Sequence, residues 1–317
     1  MPIQPIRTCF ILCAISGAAW AQLGVQPGRP QIEQSRQFDI PIARVTPLAK
    51  PTDATDLETF DAQLDDAFGA QVILKESVIA KAFTAWAEVS GFYTNNVALA
   101  RRGELQDTFL ATTFGLAYRK ALNRTIMFDA SLRSSLYRYN RNRPLDFQSV
   151  DPSVSLTWSP QSLQNTAFYF RYTYNHLVSA VSGDRFFSSH SVSIGAQKAW
   201  ALSRSHAIIA GAQAQWSKAD PTDSQRDEYS AFLGIHAELT ERLSADLSYR
   251  YAIFDFRETA FGRRDHNQSV TLAFRYALED WLSVSASTFW TSNDSNFDVF
   301  GYEAWNLGGS LGLSSKF

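Results

Sequence analysis

The histidines are the first place to look for chemistry, and their spacing argues against a metal site. His176, His190, His206, His236 and His266 form no HExxH pair and no other metal-ligand spacing. The two cysteines, Cys9 and Cys13, both fall within the first 21 residues, so neither a disulfide nor a Cys-ligated metal is expected beyond them. Ser189-His190-Ser191 pairs a nucleophile type with a base type. Neighbours on a strand point to opposite faces, however, so His190 would not reach either serine. Asp265-His266 falls in a predicted rim loop, where such a pair would in principle activate water; a solvated loop is the plainer reading. There is no GxSxG nucleophile elbow and no Walker loop. The expectation is no catalytic residue, no metal ligand and no cofactor.

Those residues belong to a chain of 317, with 29 basic and 31 acidic side chains and a formal net charge of −2. That balance argues against a surface built to hold nucleic-acid phosphates. With 45% hydrophobic residues, 23 Phe, 12 Tyr and 8 Trp, the chain is not of disordered composition. No stretch is apolar for the roughly 18 residues that a membrane-crossing helix requires. A soluble all-β protein and a barrel that crosses a membrane with strands remain.

Residues 1–21 read as a cleaved secretory signal. Arg7 supplies the basic start, Cys9 to Trp20 the short apolar run, and Ala19-Trp20-Ala21 a small-residue cleavage site before Gln22. Residues 22–80 are broken by Pro27, Pro30, Pro41, Pro47 and Pro51, and read as a flexible periplasmic lead-in able to dock a periplasmic partner. From 81 to 317 the pattern is period two, in about twelve candidate strands. The run Phe168, Phe170, Tyr172, Tyr174 is almost a pure aromatic stripe, and Leu243, Ala245, Leu247, Tyr249, Tyr251 is another apolar face. The opposite faces are small or polar, as in Ser131, Arg133, Ser135 and Ser283, Ser285, Ser287.

Alternation alone would suit a soluble sandwich, but these runs reach about 9–14 residues where sandwich strands have five or six. Aromatic residues recur near strand ends, at Tyr118, Trp158, Trp216, Tyr276, Trp281 and Trp290, where the interfaces of a membrane would lie. Links of about ten residues (95–106, 139–146, 176–188, 217–227, 257–266, 291–300) alternate with links of three to five. An up-and-down, antiparallel transmembrane β-barrel with longer external loops and short periplasmic turns produces that alternation.

With faces assigned this way, Glu88, Asp129, Arg133, Arg171, His236, Glu238, Asp246, Arg250 and Arg275 point into the lumen. Charges in a barrel interior must either line water or pair. The hydrated reading is an eyelet in which Arg133, Arg171, Arg250 and Arg275 face Glu88, Asp129, Glu238 and Asp246; the other is a salt-bridged, blocked lumen. A set of loop arginines, Arg101, Arg102, Arg141, Arg143, Arg185, Arg226, Arg257, Arg263 and Arg264, would make the outer rim basic and suited to lipopolysaccharide phosphates.

Two stretches carry a family likeness. Ser90-Gly91-Phe92-Tyr93-Thr94-Asn95-Asn96-Val97 resembles the first hairpin of bacterial outer-membrane barrels whose strand ends in a Gly-Tyr-Asp-Ser-Asn-Val-like turn. Arg264-Asp265-His266 through Tyr276, with Ser295-Asn296 and Gly301-Tyr302-Glu303-Ala304, is similar to the closing hairpins of the same group, which includes porin-like barrels and barrels associated with exopolysaccharide or capsule export. The final run, with Leu311, Leu313 and Phe317 on one face, resembles the C-terminal assembly signal of Gram-negative outer-membrane barrels and implies the barrel-assembly machinery as a partner. The resemblance implies an outer-membrane, porin-like passive channel for small or saccharide-like solutes, in contact with lipid and lipopolysaccharide. An exopolysaccharide-export component, or a structural or adhesive barrel without a pore, is the alternative.

Overall fold

The computed structural model describes residues 82–257 and 262–317; the expected signal and the 22–80 lead-in lie outside them. The strands are β1 Phe83–Thr94, β2 Asp107–Ala121, β3 Ile126–Tyr139, β4 Phe147–Trp158, β5 Thr166–Ser179 and β6 Arg185–Ala201. They continue as β7 His206–Asp220, β8 Asp227–Glu238, β9 Leu243–Phe256, β10 Arg263–Glu279, β11 Leu282–Ser295 and β12 Tyr302–Lys316. Every strand pairs antiparallel with its sequence neighbours, and β1 closes on β12 to complete a barrel of twelve. Among the described residues three one-turn 3-10 segments, Arg143–Leu145, Thr222–Ser224 and Asp298–Phe300, lie in links at the rim where β1 ends, here termed the upper rim.

Physical chemistry assigns the two faces. Outward side chains are large and apolar: Phe114 is 60% exposed, Leu307 62% and Leu132 51%. A soluble protein does not display such a continuous apolar surface, whereas hydrocarbon accepts it. A closed sheet with that outer face can cross a membrane by its strands. Among the described residues no helix is long and apolar enough to cross a membrane. Aromatic rings mark both borders of the apolar belt. At the lower rim Phe317 stacks on Phe83 (5.8 Å between centroids), Phe83 meets Tyr118 (5.0 Å), and Trp158 meets Phe168 (5.3 Å). Near the upper rim Tyr93, Trp216, Tyr251, Trp290 and Trp305 face outward, with Trp290 and Trp305 6.4 Å apart. Phe83 and Tyr93 are ten residues apart on β1. At ~3.3 Å per residue and a tilt of ~40°, that is about 25 Å, the height of the apolar band of a membrane barrel.

Several strands run further toward the upper rim than the hydropathy pattern indicates. β5 ends at Ser179, β6 begins at Arg185 and β10 at Arg263, so the link read as 176–188 shrinks to 180–184 and the one read as 257–266 to 257–262. Once a strand clears the lipid, its outer face no longer has to be apolar, so the ladder continues after the alternation fades. The lower link 159–165 exceeds the upper link 180–184 in length, so the two ends are told apart less sharply than the sequence suggests.

Closure rests on one seam. The backbone N–H of Phe83 donates to the Phe317 carbonyl and the N–H of Phe317 to the Phe83 carbonyl, both at 3.0 Å. Leu311, Leu313 and Phe317 all face outward beside β1. Phe317→Ala keeps these backbone bonds but loses the ring stack, which is worth about 1 kcal/mol. The expected outcome is a barrel less stable by that amount in urea titrations of protein refolded into lipid vesicles; an unchanged midpoint would show that the stack contributes nothing to the seam.

Candidate functional site in the barrel interior

The interior is built from small polar side chains. Hydroxyls meet across neighbouring strands: Thr113 and Ser135 at 2.9 Å, Ser131 and Ser153 at 2.9 Å, Ser285 and Ser310 at 2.6 Å. Large rings inside lie flat against the wall where a glycine leaves room. Trp86 covers Gly115 and Phe92 covers Gly308, each so close that an added Cβ would collide with the ring.

Toward the upper rim the two halves of the wall differ. On β1 to β6 an arc of aromatic and aliphatic residues packs inward, comprising Phe109, Tyr137, Tyr139, Phe147, Leu177 and Phe187. Tyr137 stacks on Phe147 at 4.2 Å, and Phe109 bridges Phe92 and Tyr139 at 5.3 Å each. The link 95–106 folds in over this arc. Val97 joins it, fully buried, while Leu99 packs with Tyr302 and Ala304 of β12. Asn96 fixes the turn: its side-chain amide donates to the carbonyls of Ala100 and Glu303, both at 2.8 Å, and its oxygen accepts from the Ala100 N–H at 3.0 Å. Asp107 anchors the link 140–146 by accepting from the N–H groups of Arg141 (3.1 Å) and Asn142 (2.9 Å).

The facing half, on β7 to β11, carries charge. Glu228 accepts hydrogen bonds from Arg250 and from Gln213 (3.2 Å), and Gln213 accepts from the Tyr169 hydroxyl (2.9 Å). Tyr169 reaches across from β5, where the Arg171 guanidinium lies 5.6 Å from the centre of its ring. Arg263 forks onto Asp265 through Nε (2.9 and 3.0 Å) and Nη2, and Asn293 donates to the same carboxylate at 3.1 Å. Arg263 also lies between Phe256 (4.2 Å) and Phe300 (3.6 Å). Arg226, in the link before β8, turns inward over Phe254 (4.3 Å) and Phe256 (5.9 Å). Burial pulls its proton affinity down from the usual arginine range, with Glu228 opposing the drop.

All nine charged or titratable residues assigned to the lumen from sequence lie on the inward-facing alternation of their strands. They do not share one level: Asp129 and Asp246 are the fourth residues of β3 and β9 from the lower rim, while Arg133 and Arg250 are the eighth. Their partners are wall neighbours. Arg133 pairs with Asp151 at 3.4 Å, Asp129 with Arg119 at 3.1 Å and Asp246 with His236 at 2.7 Å, and Glu88 accepts from Ser90 at 2.6 Å. Arg171 is brought to Tyr169; Glu238, the last residue of β8, and Arg275 lie near the lower mouth. Glu228, Asp151 and Arg119 are the partners that the sequence reading left out. Their inward parity on β8, β4 and β2 was the signal available for placing them in the interior.

Two readings of the rim are corrected. Arg263 and Asp265 are not loop residues: β10 begins at Arg263, which places both inward, 5% and 1% exposed. His266 therefore points outward, 2.6 Å from the Tyr251 hydroxyl, and cannot act with Asp265 on one substrate. The rim arginines are also less free than a basic rim requires. Arg101 pairs with Asp298 (2.6 Å), Arg185 with Asp220 (2.6 Å), Arg257 with Asp227 (2.9 Å) and Arg264 with Asp255 (3.4 Å). Ser189 is buried and His190 faces out to Tyr172 (2.7 Å), on opposite faces as strand geometry demands. Among the described residues no three His, Cys, Asp or Glu side chains converge to hold a metal.

No protein-family model matches the sequence, and no curated protein matches it. Among solved structures the barrel is similar to an outer membrane channel from Pseudomonas putida F1, with 10% identity and a TM-score of 0.52, over 78% of this chain and 100% of that one. The chain has the fold of a bacterial outer-membrane channel barrel. The outer membrane channel DcaP of Acinetobacter baumannii (10% identity, TM-score 0.42, 74% of this chain and 96% of that one) and the translocator domain of autotransporter NalP from Neisseria meningitidis (9%, 0.41, 83% and 96%) fit more loosely and add nothing to that.

The Glu228–Arg250 pair is the best-buried ion pair of the inward set beside Arg263–Asp265, with side chains 8% and 13% exposed. Removing one partner strands the other charge, a loss of about 3–5 kcal/mol, whereas replacing both by apolar residues of similar size is close to neutral. Glu228→Ala is therefore expected to destabilise the barrel far more than Glu228→Leu combined with Arg250→Met, as read by urea titration in vesicles. Equal losses would show that the pair itself, not the stranded charge, sets the stability.

Proposed function

We propose that this barrel is a channel for small polar solutes, saccharide-like in size and hydrogen-bonding character, crossing the outer membrane by diffusion without a chemical step. One observation carries the reading: below the aromatic arc of the upper level, the inward face of the closed sheet is dominated by serine, threonine and charged side chains, while the lipid-facing alternation is apolar. Charged groups on a lumen wall are stable only if hydrated or paired, and a hydroxyl-lined wall exchanges hydrogen bonds readily with a hydroxylated solute. The narrow level is the upper one, where the aromatic arc, the inturned link 95–106 and the Glu228–Arg250 pair share the lumen. Size selection and a small unitary conductance follow from that crowding. Fold likeness to a channel supports the reading but does not name a solute.

The test is single-channel recording in planar bilayers with a cysteine placed in the lumen. Ser283 lies on the inward face of β11 below the crowded level. In a background with Cys9 and Cys13 changed to serine, Ser283→Cys is expected to give discrete conductance steps that fall by half or more on reaction with a bulky charged thiol reagent. Val284→Cys, one residue along and facing lipid, is the control and is expected to be insensitive. Silent membranes from a well-folded barrel would overturn the channel reading.

A further inference from the structure

Two further guanidiniums turn inward, that of Arg171 over Tyr169 on β5 and that of Arg226 close to the Glu228–Arg250 pair. Each has an aromatic face beneath it and no carboxylate or carbonyl acceptor among the described residues. Arg226 is the more confined. Phe254 and Phe256 take the face of its plane, which leaves the N–H edge as the part still able to bond. Arg226 lies close enough to feel the charges of Arg250, Arg263 and Glu228. Arg250 is neutralised by Glu228 and Arg263 by Asp265, so Arg226 leaves the group with a net charge of +1. A half-buried arginine stays cationic, and its unfilled donors attract an anion more strongly there than in open water. We propose that the upper end of the lumen holds an anion site centred on Arg226, which takes the carboxylate or phosphate group of a solute.

The chemistry of the fork sets the class of ligand. A guanidinium presents parallel N–H donors that match the two oxygens of a carboxylate or phosphate, and the rings hold its plane in place before the anion arrives. The aromatic arc across the lumen offers a flat apolar surface to the rest of the molecule. An acidic sugar or a small organic acid has both features. The site refines the channel reading and rests on it only for the route by which the solute arrives.

The experiment is calorimetric titration of the full-length barrel in detergent, at low ionic strength, with citrate and separately with inorganic phosphate. The wild type is expected to bind at least one of the two saturably, and which one it prefers assigns the site to carboxylate or to phosphate. Arg226→Gln is expected to weaken binding at least tenfold and Arg226→Lys to weaken it less, since charge is kept and the fork is lost. Arg264→Gln, on the exposed rim and paired with Asp255, is expected to bind as the wild type does. Folding of each variant is checked by heat-modifiable migration; if Arg226→Gln does not fold, Arg226→Lys is read in its place. The proposal is overturned by no saturable binding to the wild type, by wild-type affinity in the Arg226 variant read, or by an equal loss in Arg264→Gln. Binding without conductance would remove the channel and leave the site; conductance without binding would remove the site alone.

Discussion

The pairing of β12 with β1 is the constraint on which the rest depends. In hydrocarbon an unpaired backbone N–H or C=O has no water to turn to, so a sheet that crosses a membrane must have no edge. Here the last ladder runs from Thr84 opposite Lys316 to Thr94 opposite Asn306, and the Phe83 and Phe317 backbones exchange bonds beyond it. Once the cylinder is closed, alternation along each strand becomes a division between two solvents. Leu311, Leu313 and Phe317 meet lipid, while Ser310 and Gly312 on the same strand meet the interior.

Closure also fixes how much room the interior has, and this barrel fills its upper level with two kinds of matter. Rings from β1 to β6 pack as they would in a soluble core, and charged residues from β7 to β11 pair as they would in a buried salt-bridge network. Pro152 shows how local backbone chemistry shapes this arrangement. It has no N–H to donate, and the β4–β5 register is interrupted at Asp151 and Pro152 before resuming at Ser153. Asp151 beside that gap is the partner of Arg133. Among the described residues the lower lumen, lined by Ser131, Ser153, Ser283 and Ser285, shows no comparable arc.

Much of this was legible residue by residue. Period two assigns Arg133, Arg250 and the other charged residues to one face of their strands, because a strand's side chains alternate whatever it pairs with. Which partner each one takes was not legible. Arg250 is level with Phe232 in the ladder, yet it reaches Glu228, four residues earlier on β8 and nearer the upper rim. A long side chain crosses the wall diagonally, and only the register between strands says which acid it will meet. The upper strand ends were hidden for a different reason. Arg263 to His266 looked like a loop because polar residues above the lipid carry no apolar stripe, although the ladder with β9 holds Arg263 opposite Phe256.

An antiparallel barrel of about twelve strands, the inward and outward face of each, and histidines without a catalytic spacing all follow from the order of residues alone. They depend on side-chain period and composition, which are properties of single strands. The folded barrel was needed to show that the link 95–106 turns inward, that the rim arginines are divided between surface ion pairs and the lumen, and that Arg226 rests on Phe254 and Phe256 beside Glu228. Those features depend on which strands are neighbours and on how far each is shifted along the next, and no single strand's sequence contains that information.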